Sequence, residues 1–305
     1  MRIGIDLGGT KIEVIALADT GTGAGDTLLR NRIPTPAGDY AGILNAVAEL
    51  VAFTESETGQ AGTVGIATPG AISPSTNLLK NSNSTVLNGK PLDCDLEARL
   101  RRRIRMENDA NCLALSEAVD GAAANARLVF GVILGTGVGG GVVIDRHVHD
   151  GRNRIAGEWG HNPLPWARAD ELPGPGCYCG KLGCIETFLS GAGLAREYRA
   201  RSGQQKTAIA IAEAAAAGDR LANECLELYQ DRLARSLASI INVLDPDVIV
   251  LGGGLSNLTC LYQALPALLK SYTFSADAGT PVVRAMHGDS SGVRGAAWLW
   301  PIDGL

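Results

Sequence analysis

The sequence predicts a two-domain α/β protein. Three observations point there. The chain has 305 residues, more than one hydrophobic core usually serves. Residues 2–17 and 128–144 repeat one plan: strand, glycine-rich turn, strand. Segments of helical period lie between and after them. Hydrophobic residues at 46 % and charged residues at 19 % fit a globular chain and exclude extended disorder.

The elements follow in order. Ile3, Ile5 and Leu7 alternate, Gly8-Gly9-Thr10-Lys11 turns the chain, and Ile12 to Leu17 resume a strand, which is a hairpin pattern. Residues 39–53 read as an amphipathic helix with Ile43, Val47, Leu50 and Val51 on one face. A short strand at 64–66 ends in Thr68-Pro69-Gly70, a turn signal. Asp93 is placed to cap a helix running to Arg103, a brief strand spans 104–107, and 110–119 has helical spacing. Leu128 to Leu134, the glycine run 135–141 and Val142 to Ile144 form the second hairpin. Residues 166–176 contain Pro173 and Pro175 without periodicity and read as a loop. Residues 191–243 are mostly helical, 247–251 read as a buried strand ending in Gly252-Gly253-Gly254, and 291–300 as a closing helix. The expected domains are 1–118 joined by 292–305, and a larger one at 119–291.

Lys plus Arg is 27 against 32 Asp plus Glu, a net charge of −5. That gives no general attraction to nucleic acid or anionic membrane. The basic run Arg99, Arg101, Arg102, Arg103 and Arg105 lacks interleaved aromatics and reads as a solvated helix face. Asp6 comes too soon for a signal peptide, and no apolar run is long enough for a membrane span. A cytoplasmic protein is expected.

Three glycine turns could bind phosphate, because backbone N–H groups can converge there with no Cβ in the way. Gly8-Gly9-Thr10-Lys11 adds a hydroxyl and a cation, Gly135-Thr136-Gly137 is the second, and Gly252-Gly253-Gly254 would admit a base or ribose. Asp6, at the end of the first strand, is placed to hold Mg²⁺ or its waters. Each turn alone is equally a simple tight turn. The P-loop spacing is absent. Gly135, Gly137 and Gly140 fit Gly-x-Gly-x-x-Gly, but a strand follows where a dinucleotide fingerprint needs a helix.

Seven cysteines are present, three of them within Cys177-Tyr178-Cys179-Gly180-Lys181-Leu182-Gly183-Cys184. Such a cluster suggests metal over disulfides in a reducing compartment. Tetrahedral zinc wants a fourth ligand, and His161 is the nearest upstream histidine. A closed site of this kind is structural. Cys94, Cys112, Cys225 and Cys260 read as packing residues.

Asp109 lies at a strand-to-helix corner, where functional side chains gather in α/β proteins. It could orient an acceptor hydroxyl and take its proton. It could equally cap the next helix, and the residues alone favour the cap. Glu158 and Glu186, on either side of the cysteine loop, could accept hydrogen bonds or be surface charges.

Together these residues resemble the ROK family of sugar kinases and repressors, within the actin/hexokinase-like (ribonuclease H-like) ATPase superfamily. Gly4-Ile5-Asp6-Leu7-Gly8-Gly9-Thr10-Lys11 is similar to its first phosphate motif. Gly137-Val138-Gly139-Gly140-Gly141-Val142, Gly151 and Gly157-Glu158-Trp159-Gly160-His161 match its signature, and Cys177-x-Cys179-Gly180-x-x-Gly183-Cys184-x-Glu186 its zinc motif. The likeness runs from residue 3 to Gly292-Val293-Arg294-Gly295-Ala296-Ala297.

The resemblance implies ATP and Mg²⁺ bound by residues 4–11, by Gly135, Thr136, Gly137, Val138, Gly139 and Gly140, and by Gly253 and Gly254. It implies structural Zn²⁺ on His161, Cys177, Cys179 and Cys184. It makes Asp109 the catalytic base, and Asn83, Asn108, Glu158, His161 and Glu186 the contacts to sugar hydroxyls. A cleft between the two domains and a homodimer are also implied. Within the family, residues 158–166, 80–85, 287–294 and 298–301 are most like bacterial fructokinases, which implies D-fructose going to fructose 6-phosphate. N-acetylglucosamine kinases share most of the motifs and are the alternative, with a mannose or glucose kinase beside them. The family's repressors carry an N-terminal helix-turn-helix; with a first strand predicted from Arg2, a kinase is expected and a repressor is not.

Overall fold

The computed structural model describes residues 1–19, 25–82, 84–275 and 277–301. The strands are β1 (Arg2–Leu7), β2 (Lys11–Leu17), β3 (Thr27–Pro34), β4 (Thr63–Thr68), β5 (Ala71–Ile72), β6 (Leu79–Lys80), β7 (Ile104–Asn108), β8 (Leu128–Leu134), β9 (Val138–Ile144), β10 (His147–Val148), β11 (Val248–Gly252) and β12 (Val282–Arg284). The helices are α1 (Tyr40–Thr58), α2 (Leu92–Leu100), α3 (Asp109–Asp120), α4 (Ile185–Leu189), α5 (Gly191–Ser202), α6 (Ala208–Ala216), α7 (Arg220–Leu244), α8 (Thr259–Lys270) and α9 (Ser291–Ala297). Two compact units result. One is Met1–Arg127, Gly141–Ala156 and Met286–Leu305; the other is Leu128–Gly140 and Gly157–Ala285. The chain changes unit inside β9, a crossing that periodicity does not mark.

The first unit is built on a sheet of order β3-β2-β1-β4-β7. β1 runs antiparallel to β2 and parallel to β4. Pairing of Leu7 with Ile12 closes the first hairpin around Gly8. Ile3, Ile5, Leu7, Ile66 and the α1 face of Ile43, Val47, Leu50 and Val51 form the core, as the helical spacing predicts. Asp39 caps α1 by accepting the Gly42 N–H at 2.9 Å. β3 escapes the sequence reading because it is an edge strand of alternating exposure, with Arg30 and Arg32 bonded to the buried Glu13. α2 stops at Leu100, short of the expected Arg103, because Arg101 turns left-handed at φ 54°. Asp93 lies in its first turn and does not cap it.

The closing helix α9 packs on α3 and β1 so tightly that only glycine fits at the seam. A Cβ on Gly295 would lie 1.7 Å from the Cys112 carbonyl oxygen, and one on Gly4 would lie 2.0 Å from that of Val293. The fully buried Glu117 of α3 receives four donors: the N–H groups of Ala122, Met286 and His287 and the Ser291 hydroxyl, at 2.8–3.1 Å. Beside it, Asp120 binds Arg294 and the His287 Nε2, the latter at 3.1 Å. This network ties residues 286–294 to the helix that begins at Asp109.

The His287 link predicts a pH dependence. The hydrogen bond to Asp120 raises the His287 pKa; burial and Arg294 oppose that, while the Asp120 and Glu117 charges add to it. A raised folded-state value means the stabilisation is fully present below about pH 6.5. It is lost as pH rises through the folded-state value. Urea unfolding between pH 6 and 9 is expected to show this fall in the wild type and to lose that component in His287→Gln. An identical slope in both proteins would rule the link out.

The second unit contains β8, β11 and β12 in parallel, with Val129 opposite Val248 and Ile249 opposite Val282. They belong to a sheet of order β10-β9-β8-β11-β12. The aperiodic loop at 166–176 is held from below by charge. Glu171 accepts from Arg232 at 2.8 Å and from both terminal nitrogens of Arg235 at 2.7 and 2.9 Å. These guanidiniums and the Arg168 N–H hold the Glu171 carboxyl down to about 2 against its burial. The predicted helical stretch 191–243 resolves into α5, α6 and α7. Among the described residues, no helix is long and apolar enough to cross a membrane.

Candidate functional site

The corner between β7 and α3 separates two roles that the sequence leaves entangled. Asn108, not Asp109, is the N-cap of α3: its Oδ1 accepts the Asn111 N–H at 2.6 Å. Asp109 is the first helical residue and its carboxylate is exposed, with Oδ1 accepting the Ala110 N–H at 2.8 Å. The cap reading of Asp109 is thereby displaced. Asn108 keeps its amide Nδ2 as a donor toward a ligand. Glu107, which the sequence reading passed over, braces the corner. Its Oε2 receives the Asn111 side-chain amide at 2.6 Å and the Asn108 N–H at 3.3 Å.

Asp6 stands at the end of β1 in the same unit, paired across the sheet with Glu13 and Ala67. Burial, then the charges of Asp109 and Glu13, push its carboxyl up to about 7, with Lys11 and Arg32 opposing. Carboxylate oxygens are the hard ligands that Mg²⁺ takes, so a carboxyl at this strand end fits Mg²⁺ or its waters. The turn itself is sorted by its glycines. Gly9 faces open space, whereas Gly4 is glycine because α9 presses on it. Ile5 and Leu7, expected among the ATP contacts, bury their side chains in the core; that expectation is corrected for their side chains. Thr10 and Lys11 are exposed at the turn.

In the second unit the glycines divide in the same way. Gly135 and Gly254 have almost nothing near a would-be Cβ, while Gly140 is held by Trp159, 2.6 Å from that position. Gly253 adopts φ 81° against the Leu134 backbone. Gly139 accepts the Trp159 indole N–H at 2.9 Å, and Trp159 meets Phe130 edge-on at 5.8 Å. This packing fixes the segment carrying Glu158 and His161. The Gly135 N–H is spent on Gly137 and the Val138 N–H on Glu186, at 3.0 and 2.9 Å. Glu186 therefore supports the Thr136 turn with one oxygen and can offer the other to a ligand.

The cysteine loop brings the predicted four together. The donor atoms of His161, Cys177, Cys179 and Cys184 all lie within 4.8 Å of one another. His161 Nδ1 is 3.5 Å from the Cys177 sulfur, and the sulfurs of Cys179 and Cys184 are 3.6 Å apart. Tetrahedral zinc with Zn–S of about 2.3 Å sets such edges at about 3.8 Å, so the donor set fits. Gly180 and Gly183, at φ 87° and 68°, make the curvature. Of the other cysteines, Cys112 and Cys225 are buried, but Cys94 is exposed beside Asp93 and Asp95 on α2, so it is not a packing residue.

Tyr178, between two of the thiols, was not singled out by sequence reasoning. Its hydroxyl lies 3.0 Å from His161 Nε2, the ring nitrogen turned away from Cys177, and the rings meet at 87°. The side chain is largely exposed, and partial desolvation with the charges of Glu186 and Glu158 pushes its phenol up to about 12. The only signal was its position inside Cys-x-Cys. Asn83 lies outside the described residues.

A model of the ROK family matches residues 2–302. The chain belongs to the ROK family. It is a sugar kinase, a transferase, with the two-domain α/β fold the sequence predicts. It is 42 % identical over 303 residues to the N-acetyl-D-glucosamine kinase of Vibrio vulnificus (strain YJ016), covering 98 % of this chain and 99 % of the relative. The Haemophilus influenzae (strain 86-028NP) enzyme of that name is 40 % identical over 305 residues, with the same coverage. Among solved structures, the ROK hexokinase from Thermus thermophilus superposes with a TM-score of 0.85 at 31 % identity, covering 98 % of this chain and 97 % of that one. The Streptomyces griseus ROK glucokinase in complex with glucose and AMPPNP gives 0.78 at 27 %, covering 97 % of each.

The fructokinase expectation is overturned by these relatives. The structure shows why the stretches behind it misled. Trp298 is buried beneath Arg2, Trp300 donates to the Val64 carbonyl at 2.8 Å, and Trp166 stacks on Tyr272. Trp298 and Trp300 serve packing while Trp166 is more than half exposed, and a shared packing pattern does not read a sugar.

Proposed function

We propose that this ROK kinase transfers the γ-phosphoryl group of ATP to the primary hydroxyl of N-acetyl-D-glucosamine, with Asp109 taking the hydroxyl proton. The likeness to N-acetyl-D-glucosamine kinases over 98 % of the chain carries the choice of sugar. Support for Asp109 comes from Asn108, which does the capping and leaves the neighbouring carboxylate exposed. Phosphoryl transfer runs through a loose transition state, so the base acts late and needs no unusual pKa. Its value lies in position, and the Ala110 N–H holds the carboxylate in one orientation.

In this reading Asn108 donates to a sugar hydroxyl while Glu158 and the second oxygen of Glu186 accept. A hydroxyl reaching His161 Nε2 must displace Tyr178. Backbone at Gly9-Thr10 and at Thr136-Gly137 receives the phosphates, the Gly135 N–H being taken by the Gly137 carbonyl, with Gly253-Gly254 beside the nucleoside. Asp6 would hold Mg²⁺ or its waters, and the ion supplies charge neutralisation on the phosphates. His161 Nδ1, Cys177, Cys179 and Cys184 would hold a structural zinc that fixes the His161 ring. Coupled ADP release over N-acetyl-D-glucosamine, fructose, mannose and glucose tests the sugar. N-acetyl-D-glucosamine is expected to give the highest kcat/KM, by about tenfold or more. A higher value with any other sugar would reject it.

A further inference from the structure

The first unit holds a hollow that none of the residues proposed for the reaction lines. Its volume is about 880 Å³, at the upper end for sites that take small organic ligands. Leu115 and Val119 of α3 and Leu299 give it an apolar wall, and β7 and the β9–β10 turn supply charges. Of its four arginines, Arg127 pairs with Asp145 at 3.3 Å and Arg154 with Asp150 at 3.6 Å. Arg105 and Arg146 differ. Arg105 donates to the Leu299 carbonyl at 3.0 Å and Arg146 to that of Ala124 at 3.2 Å. Among the described residues, neither has a carboxylate within ion-pair distance. The Arg105 guanidinium carbon lies over Trp300, 5.0 Å from its ring centre.

A guanidinium with five N–H donors and only a neutral carbonyl to satisfy is suited to a phosphate group. The remaining acid of the wall, Glu107, is turned to the head of α3 through Asn111 and Asn108. Burial raises its pKa, which lessens its opposition to an anion.

We infer that this hollow binds an organic phosphate monoester, its phosphate on Arg105 and Arg146 and its carbon body against Leu115, Val119 and Leu299. The wall that would touch the ligand includes Glu107, which braces the corner bearing Asp109. An occupant is thus mechanically joined to the catalytic corner while lying outside it.

Calorimetric titration of the full chain tests this. A non-hydrolysable ATP analogue and N-acetyl-D-glucosamine are kept saturating so that the reaction site is filled. Adenosine monophosphate, N-acetyl-D-glucosamine 6-phosphate and inorganic phosphate are the titrants. At least one of the two organic esters is expected to bind saturably, and about tenfold more tightly than inorganic phosphate. Arg105→Gln and Arg146→Gln, both on exposed or half-exposed side chains, are expected to keep the wild-type melting temperature and to weaken binding about tenfold each. No saturable binding of either ester, equal binding of inorganic phosphate, or unchanged affinity in both variants would overturn the inference. Which ester binds separates a nucleotide from a sugar phosphate as its source.

Discussion

Asp109→Asn is expected to yield a folded protein whose kcat on N-acetyl-D-glucosamine falls by about 10²- to 10⁴-fold, the usual weight of a positioned general base. The substitution is chosen for what it keeps. Asparagine retains the Oδ1 acceptor that receives the Ala110 N–H. The cap of α3 is Asn108 and is untouched, so the loss of about 1 kcal/mol typical of a removed cap is not expected. Sugar KM should stay within a few-fold, because hydroxyl contacts other than Asp109 are unchanged. Steady-state kinetics together with urea unfolding separate the roles. Near-normal turnover with lowered stability would mean that Asp109 is a structural residue after all.

Removal of zinc is expected to act on stability and substrate together. Purified protein should contain about one zinc per chain, bound by three thiolates and one imidazole. Sites of this kind can supply on the order of 10 kcal/mol. The loop they hold has little else: Cys179, Gly180, Lys181 and Leu182 are exposed. Chelation, or Cys177→Ser, should therefore release the loop, lower the melting temperature, and raise sugar KM by freeing His161. Protein found without zinc, whose melting temperature a chelator does not move, would refute the metal assignment.

What the sequence made legible depended on how local the physics was. The α1 face, the first hairpin and the cysteine loop follow from spacing alone, and all three are present. The edge strand β3 was hidden because Arg30 and Arg32 serve Glu13 instead of a core. Asn108 and Asp109 are adjacent and both can cap, and which one does is decided by where the first turn of α3 begins. The glycine turns looked alike in sequence, yet Gly4 and Gly140 answer to packing partners far along the chain, while Gly9 and Gly254 face open space. Sugar identity was the least legible feature. Hydroxyl contacts are common to the family, and discrimination lies in pocket shape, whereas Trp298 and Trp300, in one of the four stretches likened to fructokinases, serve packing.

The most direct test of the central claim is ³¹P NMR of the chain incubated with Mg²⁺, ATP and N-acetyl-D-glucosamine. New phosphate monoester signal is predicted from the two anomers of a single 6-phosphate, growing in step with ADP and split by the two protons of the sugar's C6. Inorganic phosphate as the sole new product, or a monoester on another carbon, would contradict it.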